Sequence, residues 1–404
     1  MKKNLTILLF ILISCARAPL EKREMALSPV NSFELKDDLN LKPLILGIQK
    51  TIKIIETNNT KFLNFTFGEI RIDQKEYAKS LRFLVRSYEQ NPNGFLQTIR
   101  DNFDFYEVYG GESRGEILLT SYYEPIIYGS LKKTGNFSRP LYRVPPDLVE
   151  IALKEFNGKD FPVKIENPRT IYARLVPTPE NDIKSKIIPY FSRKEIDQDQ
   201  SLKSKKLEIC YVDPVEAFFL QIQGSGTVIL PKGKKIRVGY AGQNGWIYHP
   251  IGKELMDIMP VEEINMEKIE KYLESLTLEK REELMAKNPS YVFFKEIKDK
   301  PLTTLGVEVI DGRTIATDLR FFPKGALAFI KFDGPDFEPE KKYSRLVLDL
   351  DTGGAIKGGG RADLFWGSGP DAKKYAGRLK SKANLYYLAP NQALLAKLKL
   401  ENQP

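Results

Sequence analysis

The amino-acid sequence predicts a mainly β protein with some helices, an α+β fold built around β-barrels. Three observations carry that expectation. β-Branched and aromatic runs, cut by glycine or turn dipeptides, dominate from about residue 110 onward. Helical periodicity is gathered near the N-terminus and around residues 262–287. A chain of 404 residues, 42% of them hydrophobic, can bury a core in each of two domains. Neither an internal repeat nor a low-complexity segment is visible.

The first residues, MKKNLTILLFILISC, combine two lysines, an apolar run from Leu5 to Ile13 and a small residue before Cys15. This is the pattern of a secretory signal, and the run is well short of the ~20 residues a spanning helix needs. Leu12-Ile13-Ser14-Cys15 resembles a bacterial lipobox, whose cysteine becomes the lipidated first residue of the mature chain. An ordinary secretory peptide with an incidental cysteine is the alternative. Residues 1–14 are therefore read as a lipoprotein signal peptide. Residues 15–40, polar, mixed in charge and aperiodic, are read as a lipid-anchored tether. Ala16 after the lipid cysteine points to an outer-membrane anchor facing the periplasm.

Two helices follow, LKPLILGIQKTIKII at 41–55 and DQKEYAKSLRFLVRSYEQN at 73–91. In the second, Tyr77, Leu81, Leu84 and Val85 recur at steps of three and four with charges between them. A third helical block runs from Val261 to Asn288, where Glu262 or Glu263 suits the positive end of the helix dipole. The runs EILLTSYYEPIIYGS, LEICYVDPVEAFFLQIQGSGTVILP, KKIRVGYAGQNGWIY, GVEVIDGRTIATD, ALAFIKF and SRLVLDLDTGGAI read as strands, with hairpins at Gly233-Lys234 and Asn244-Gly245.

Composition narrows the chemistry. Besides Cys15 the only cysteine is Cys210, inside the apolar run LEICYVD, so a cysteine zinc site is excluded and Cys210 reads as a small buried hydrophobe. The single histidine, His249, argues against histidine-ligated metals, Ser-His triads and Cys-His dyads, and reads as a surface or hydrogen-bonded residue. Acid–base work then falls to carboxylates. A net charge of +9 would suit nucleic acid in a cytosolic protein. Export removes that partner, leaving an acidic envelope polymer or an anionic lipid surface. A lysine-rich solvated surface is the plainer reading.

The densest cluster is LVLDLDTGGAIKGGGRADLFWGSGPDA, holding Asp349, Asp351 and Asp363, with five glycines between the last two. Such a loop can bring two acids together, or it is a tight barrel connection with solvated aspartates. GGAIKGGGR lacks the Gly-Lys-Ser/Thr ending of a phosphate loop, and Gly224-Ser225-Gly226 lacks the spacing of a nucleophile elbow. Asp351-Thr352-Gly353 is the aspartic-protease tripeptide, but it occurs once, and that chemistry needs two.

Several segments together resemble the membrane-bound lytic transglycosylase A family with its C-terminal three-aspartate domain. They are LLTSYYEP (118–125), IIPYFSRKEID (187–197), VDPVEAFFLQIQGSG (212–226), RVGYAGQNGWIYHPIGKEL (237–255), NPSYVFF (288–294), RTIATDLRFFPKGAL (313–327) and DTGGAIKGGGRADLFWGSGPDA (351–372). They stand in the family's order and cover roughly 110–390. The resemblance implies a double-psi β-barrel at 41–127 and 291–395, an inserted β-domain at 128–290, and a glycan groove between them. It implies cleavage of the MurNAc-β-1,4-GlcNAc bond of peptidoglycan with 1,6-anhydro ends, and no cofactor or metal. A hydrolytic muramidase using Asp363 with Asp351 or Glu124, and a non-catalytic glycan-binding lipoprotein, are the rival readings. The implied partners are peptidoglycan strands, the membrane through the lipid anchor, and cell-wall synthesis or remodelling complexes.

Residue by residue, the three family aspartates fall on Asp318, Asp351 and Asp363, and the last is the implied acid/base. One carboxyl can suffice because the sugar's own C6 hydroxyl attacks in place of water. Asp363 must then stay protonated well above the usual carboxylate range, with Asp351 positioning and tuning it and Asp318 orienting the loop or the substrate. Structural roles in Gly-rich turns are the alternative for both helpers. Thr120, Tyr122 and Tyr123 match the groove-lining Thr-Gly-Tyr-Tyr motif, with Ser121 in place of glycine. Glu124, Gln223, Gly224, Ser225, Gln243, Trp246, Gly354 and Trp366 are further substrate-binding candidates, barrel core or turn being the plainer reading for several. Lys357 and Arg361 could pair with lactyl or peptide carboxylates or simply be solvated.

Overall fold

Strands Leu327–Asp333, Lys342–Asp351 and Lys380–Pro390 are buried at more than half of their positions, with successive buried residues that only strands covered on both faces can have. A computed structural model shows why. It describes residues 20–31, 34–57, 63, 65–156, 170–178, 185–354 and 356–400. Six strands close on themselves in the order Lys380–Pro390, Leu327–Asp333, Lys342–Asp351, Thr314–Ala316, Arg361–Ser368 and Glu116–Glu124, and the last pairs back with the first. Two of the pairings are parallel: Thr314–Ala316 with Lys342–Asp351, and Arg361–Ser368 with Glu116–Glu124. This barrel is the predicted mixed α+β fold. Strands Phe103–Val108 and Leu27–Val30 extend its sheet beyond Lys380–Pro390.

The two expected N-terminal helices form as Lys42–Glu56 and Gln74–Gln90, the second started by the Asp73 side chain accepting from the Lys75 amide. Their apolar faces cover the barrel. Gly47 permits the close approach: a Cβ there would meet Ile310 Cδ1 at 2.1 Å and Leu348 Cδ1 at 3.1 Å. Tyr77, fully buried, stacks on Phe65 at 4.1 Å, donates to the Leu388 carbonyl and accepts from the Leu327 amide. One phenol thus ties a helix to two barrel strands.

The second sheet runs Val292–Ile297, Lys235–Gln243, Ser225–Ile229, Ile126–Ser130, Glu208–Val212, Arg139–Tyr142. It is wider than the expected insert of 128–290, because strands at 126–130 and 292–297 both pair within it. The chain changes sheets at Pro125, which donates no amide hydrogen and whose carbonyl accepts from the Thr227 amide. Cys210 packs in this second core as expected, and burial pushes its thiol up to about 12.

Three expectations change. The segment VEAFFLQIQ, read as strand, is helix Pro214–Gln223, capped by Asp213 with Pro214 at its first turn. Asn244-Gly245 is no hairpin; the Asn244 side chain donates to the Phe191 and Pro289 carbonyls and accepts from the Tyr291 amide. The tether does not extend to residue 40. Ala26, Leu27 and Leu35 are core residues, and Asp37 forms a two-pronged pair with Arg313 at 2.6 and 2.8 Å, both side chains almost fully buried. Asp38 pairs likewise with Arg345. The signal segment and Cys15 lie outside the described residues.

Candidate active site

Strand register assembles the site. Ala316 pairs with Asp351 on one side and Asp363 on the other; Asp363 pairs with Thr120, and Thr120 with Lys380. Asp351, Ala316, Asp363, Thr120 and Lys380 therefore lie in one row across five adjacent strands. Asp351 and Asp363 are two strand spacings apart, on the order of 10 Å between backbones. The three family aspartates converge here, but each has a different environment.

Asp363 is partly buried. Its Oδ1 accepts from the Thr120 hydroxyl and lies 3.5 Å from Arg361 Nε. Burial raises its carboxyl above the ordinary value; the Arg361 charge and the Thr120 hydrogen bond act against that. The net direction favours the protonated acid.

Asp351 gathers four donors: Tyr122 OH at 3.1 Å, Thr304 amide and hydroxyl at 3.0 and 2.8 Å, and the Thr352 amide at 2.9 Å. Four donors suit an acceptor-only carboxylate. Burial, followed by the charge of Asp351, pushes the Tyr122 phenol well up, so Tyr122 stays a donor. Asp318 is different again. Burial would raise it, but Arg320 at 2.6 Å and the Gly358 amide at 2.8 Å outweigh burial, and its carboxyl sits below the usual value. Asp318 thereby pins the glycine loop between Asp351 and Asp363.

Alternation along Glu116–Glu124 separates the neighbouring candidates. Thr120 and Tyr122 face the aspartates. Ser121 and Tyr123 face the helix Gly369–Ala376, where the Ser121 hydroxyl approaches the Ala376 carbonyl at 3.5 Å and Tyr123 packs on Ala372 and Ala376. A serine in place of glycine thus points away from the acids. Glu124 is buried, its carboxylate bound by Ser368 at 2.7 Å, Arg237 at 3.2 Å and Thr227 at 3.3 Å. It bridges barrel and second sheet. Gln223 does the same by accepting from the Tyr123 amide at 3.0 Å, while Gly224 is the left-handed cap that ends its helix and Ser225 opens the next strand.

Other candidates are placed elsewhere. Trp366 stacks on Tyr375 at 4.7 Å and meets Phe332 and Tyr343 edge-on, so its ring fastens a helix to the sheet. The Trp246 ring nitrogen donates to the Tyr190 carbonyl, Gln243 bonds Tyr172, and His249 pairs with Glu254 at 2.7 Å. Gly354 and Lys357 are exposed on the loop. Sequence reasoning missed Thr304, which lies outside every matching segment, Tyr248, which lies inside the segment 237–255 without being singled out, and the fully buried pair of Lys324 and Asp349 at 2.6 Å. Burial pushes Lys324 down and Asp349 up, each restrained by the other's charge.

A closed barrel that lines up one protonation-prone acid, stitched to a second β-domain, defines a two-domain barrel-and-insert class. Residues 118–295 match the family described as the MltA specific insert domain, and residues 313–389 match the 3D domain, together more than half of the chain. The chain belongs to the membrane-bound lytic murein transglycosylase A family. Membrane-bound lytic murein transglycosylase A of Escherichia coli K12 is 29% identical over 283 residues, 68% of this chain and 66% of that protein, just under two thirds of its length. The homologue from Buchnera aphidicola is 28% identical over 357 residues, 86% of this chain and 82% of that protein. The crystal structure of membrane-bound lytic murein transglycosylase from Agrobacterium tumefaciens superposes with a TM-score of 0.72 at 26% identity, over 92% of this chain and 99% of that one.

Proposed function

We propose that this protein is a peptidoglycan lytic transglycosylase of the cell envelope in which Asp363 is the single general acid and base. The observation that carries the reading is the environment of Asp363: raised by burial, oriented by Thr120 through Oδ1, and aligned with Asp351 in one register row. Oδ2 is then the oxygen that carries the proton. It protonates the glycosidic oxygen between MurNAc and GlcNAc as the C1–O bond breaks. The resulting carboxylate takes the proton of the MurNAc C6 hydroxyl, whose oxygen closes on C1, so no water is consumed. General acid–base catalysis of this kind contributes roughly 10²–10⁴-fold.

Two-carboxylate hydrolysis needs a second acid free to attack or to activate water. Asp351 already has four donors, and Glu124 is locked between Ser368, Arg237 and Thr227. Both arrangements support the single-acid reading. The names of the curated relatives support membrane association, which we assign to a lipid on Cys15 at the outer membrane, facing the periplasm.

The test is mass spectrometry of fragments released from purified peptidoglycan. Anhydro ends, lighter by one water than hydrolytic ends, are expected from the wild type and are expected to vanish with Asp363→Asn. Reducing ends instead would establish hydrolysis, and undiminished activity of Asp363→Asn would remove Asp363 from the chemistry.

A further inference from the structure

We infer that the apolar cavity at the seam between insert and barrel binds the peptide stem carried by the glycan strand, an inference that rests on the function proposed above. The cavity holds about 380 Å³ and is lined by Phe219, Ile222, Val261 and Met266, with Lys253 and Lys380 among its polar wall. Lys380 belongs to the barrel and stands opposite Thr120, the residue that holds Asp363. Tyr248, also in the lining, is close enough to Asp363 and Arg361 for its phenol to respond to both charges. The cavity therefore continues the row of acids.

Its chemistry selects an occupant. Ile222 and Val261 are 38% and 49% exposed, apolar surface that a ligand would remove from water at about 25 cal/mol per Å². Among the described residues the lining contains two lysines and no carboxylate, and neither lysine is in an ion pair. An apolar body with a negative end fits. On a peptidoglycan strand that description matches the lactyl and alanyl methyl groups of the stem, followed by its free carboxylate. The N-acetyl groups of the sugars have the methyl but not the charge.

The probes are N-acetylmuramoyl dipeptide bearing a free carboxylate and N-acetylglucosamine, which has neither lactyl group nor carboxylate, each titrated by calorimetry into the full-length protein. The dipeptide is expected to bind about tenfold tighter, equivalent to ~1.4 kcal/mol. Val261→Glu and the exposed Lys253→Glu are expected to abolish that advantage while leaving N-acetylglucosamine binding unchanged. Equal binding of both probes to the wild type, or equal weakening of both by the variants, overturns the inference. In parallel, KM for stem-bearing peptidoglycan is expected to rise at least several-fold in Val261→Glu, with KM for glycan stripped of stems unchanged. A chain that cleaves neither substrate defeats the proposed function, while the titration still decides what the cavity binds.

Discussion

Thr120 and Asp363 face each other across two parallel strands, and the Thr120 hydroxyl donates to Asp363 Oδ1. The same oxygen lies beside Arg361. Both contacts favour the ionised form, against the burial that raises this carboxyl. The acid is thus held partway between a buried neutral group and a paired anion, which suits the proposed role of giving and then taking a proton.

Removing either restraint moves Asp363 further up. For an acid, activity is lost as pH climbs through the pKa of the working carboxyl, so Arg361→Gln and Thr120→Val are expected to carry the alkaline limb of the pH–rate profile to higher pH. Rates on purified peptidoglycan between pH 4 and 9 test this. A limb that stays in place or moves to lower pH would contradict the assignment.

Glu216, on the helix facing the barrel, is pushed up to about 7 from an ordinary 4.5, chiefly by burial and then by Asp213. Because the folded value is the higher, its stabilising effect is complete below about 4.5 and disappears as pH rises through about 7. Glu216→Gln should therefore stabilise the protein at pH 8, by at most about 3 kcal/mol, and change little at pH 4. Urea unfolding at the two pH values gives the answer, and an equal effect at both defeats the reading.

Asp37→Ala leaves the Arg313 guanidinium buried without its carboxylate partner. The expected loss is about 3–5 kcal/mol of stability, with a substantial part recovered in Asp37→Ala/Arg313→Met. Chemical denaturation measures both. A single variant as stable as the wild type would show that the N-terminal segment does not hold the barrel together.

Glu124→Gln removes the charge facing Arg237 while keeping most of its size. Hydrogen bonds to charged groups contribute about 1.5–3 kcal/mol, so a loss in that range is expected, together with faster amide exchange in Ile126–Ser130 and Ser225–Ile229. Unchanged exchange would mean the bridge is not what joins the two sheets.

Helices at 42–56 and 74–90 were legible because their apolar residues recur on one face, as Leu44, Ile48, Ile52 and Ile55 do. Helix Pro214–Gln223 was not, because seven of its ten residues are buried and no polar face reveals the period. Its only local signal was Asp213-Pro214. The segment from Ala26 to Asn40 could not be read from its neighbours, since Asp37 and Asp38 find Arg313 and Arg345 some 276 and 307 residues away. At the site, the glycine loop and its aspartates were visible as a motif. Thr304, the second of two adjacent threonines at a turn, acquires its role only when the fold brings it to Asp351. Trp366 stood within the motif, yet its ring is occupied by Tyr375, Phe332 and Tyr343.

Leu20 packs so closely on the glycine loop that a Cβ on Gly359 would come within 2.6 Å of it, and Arg23 donates to the carbonyls of Leu319 and Arg320 beside Asp318. Leu20 stands five positions after Cys15. Fully extended, that stretch reaches about 18 Å. A lipid on Cys15 would therefore leash the enzyme by its working end, keeping the catalytic mouth close to the bilayer and limiting it to the layer of wall that passes within that radius.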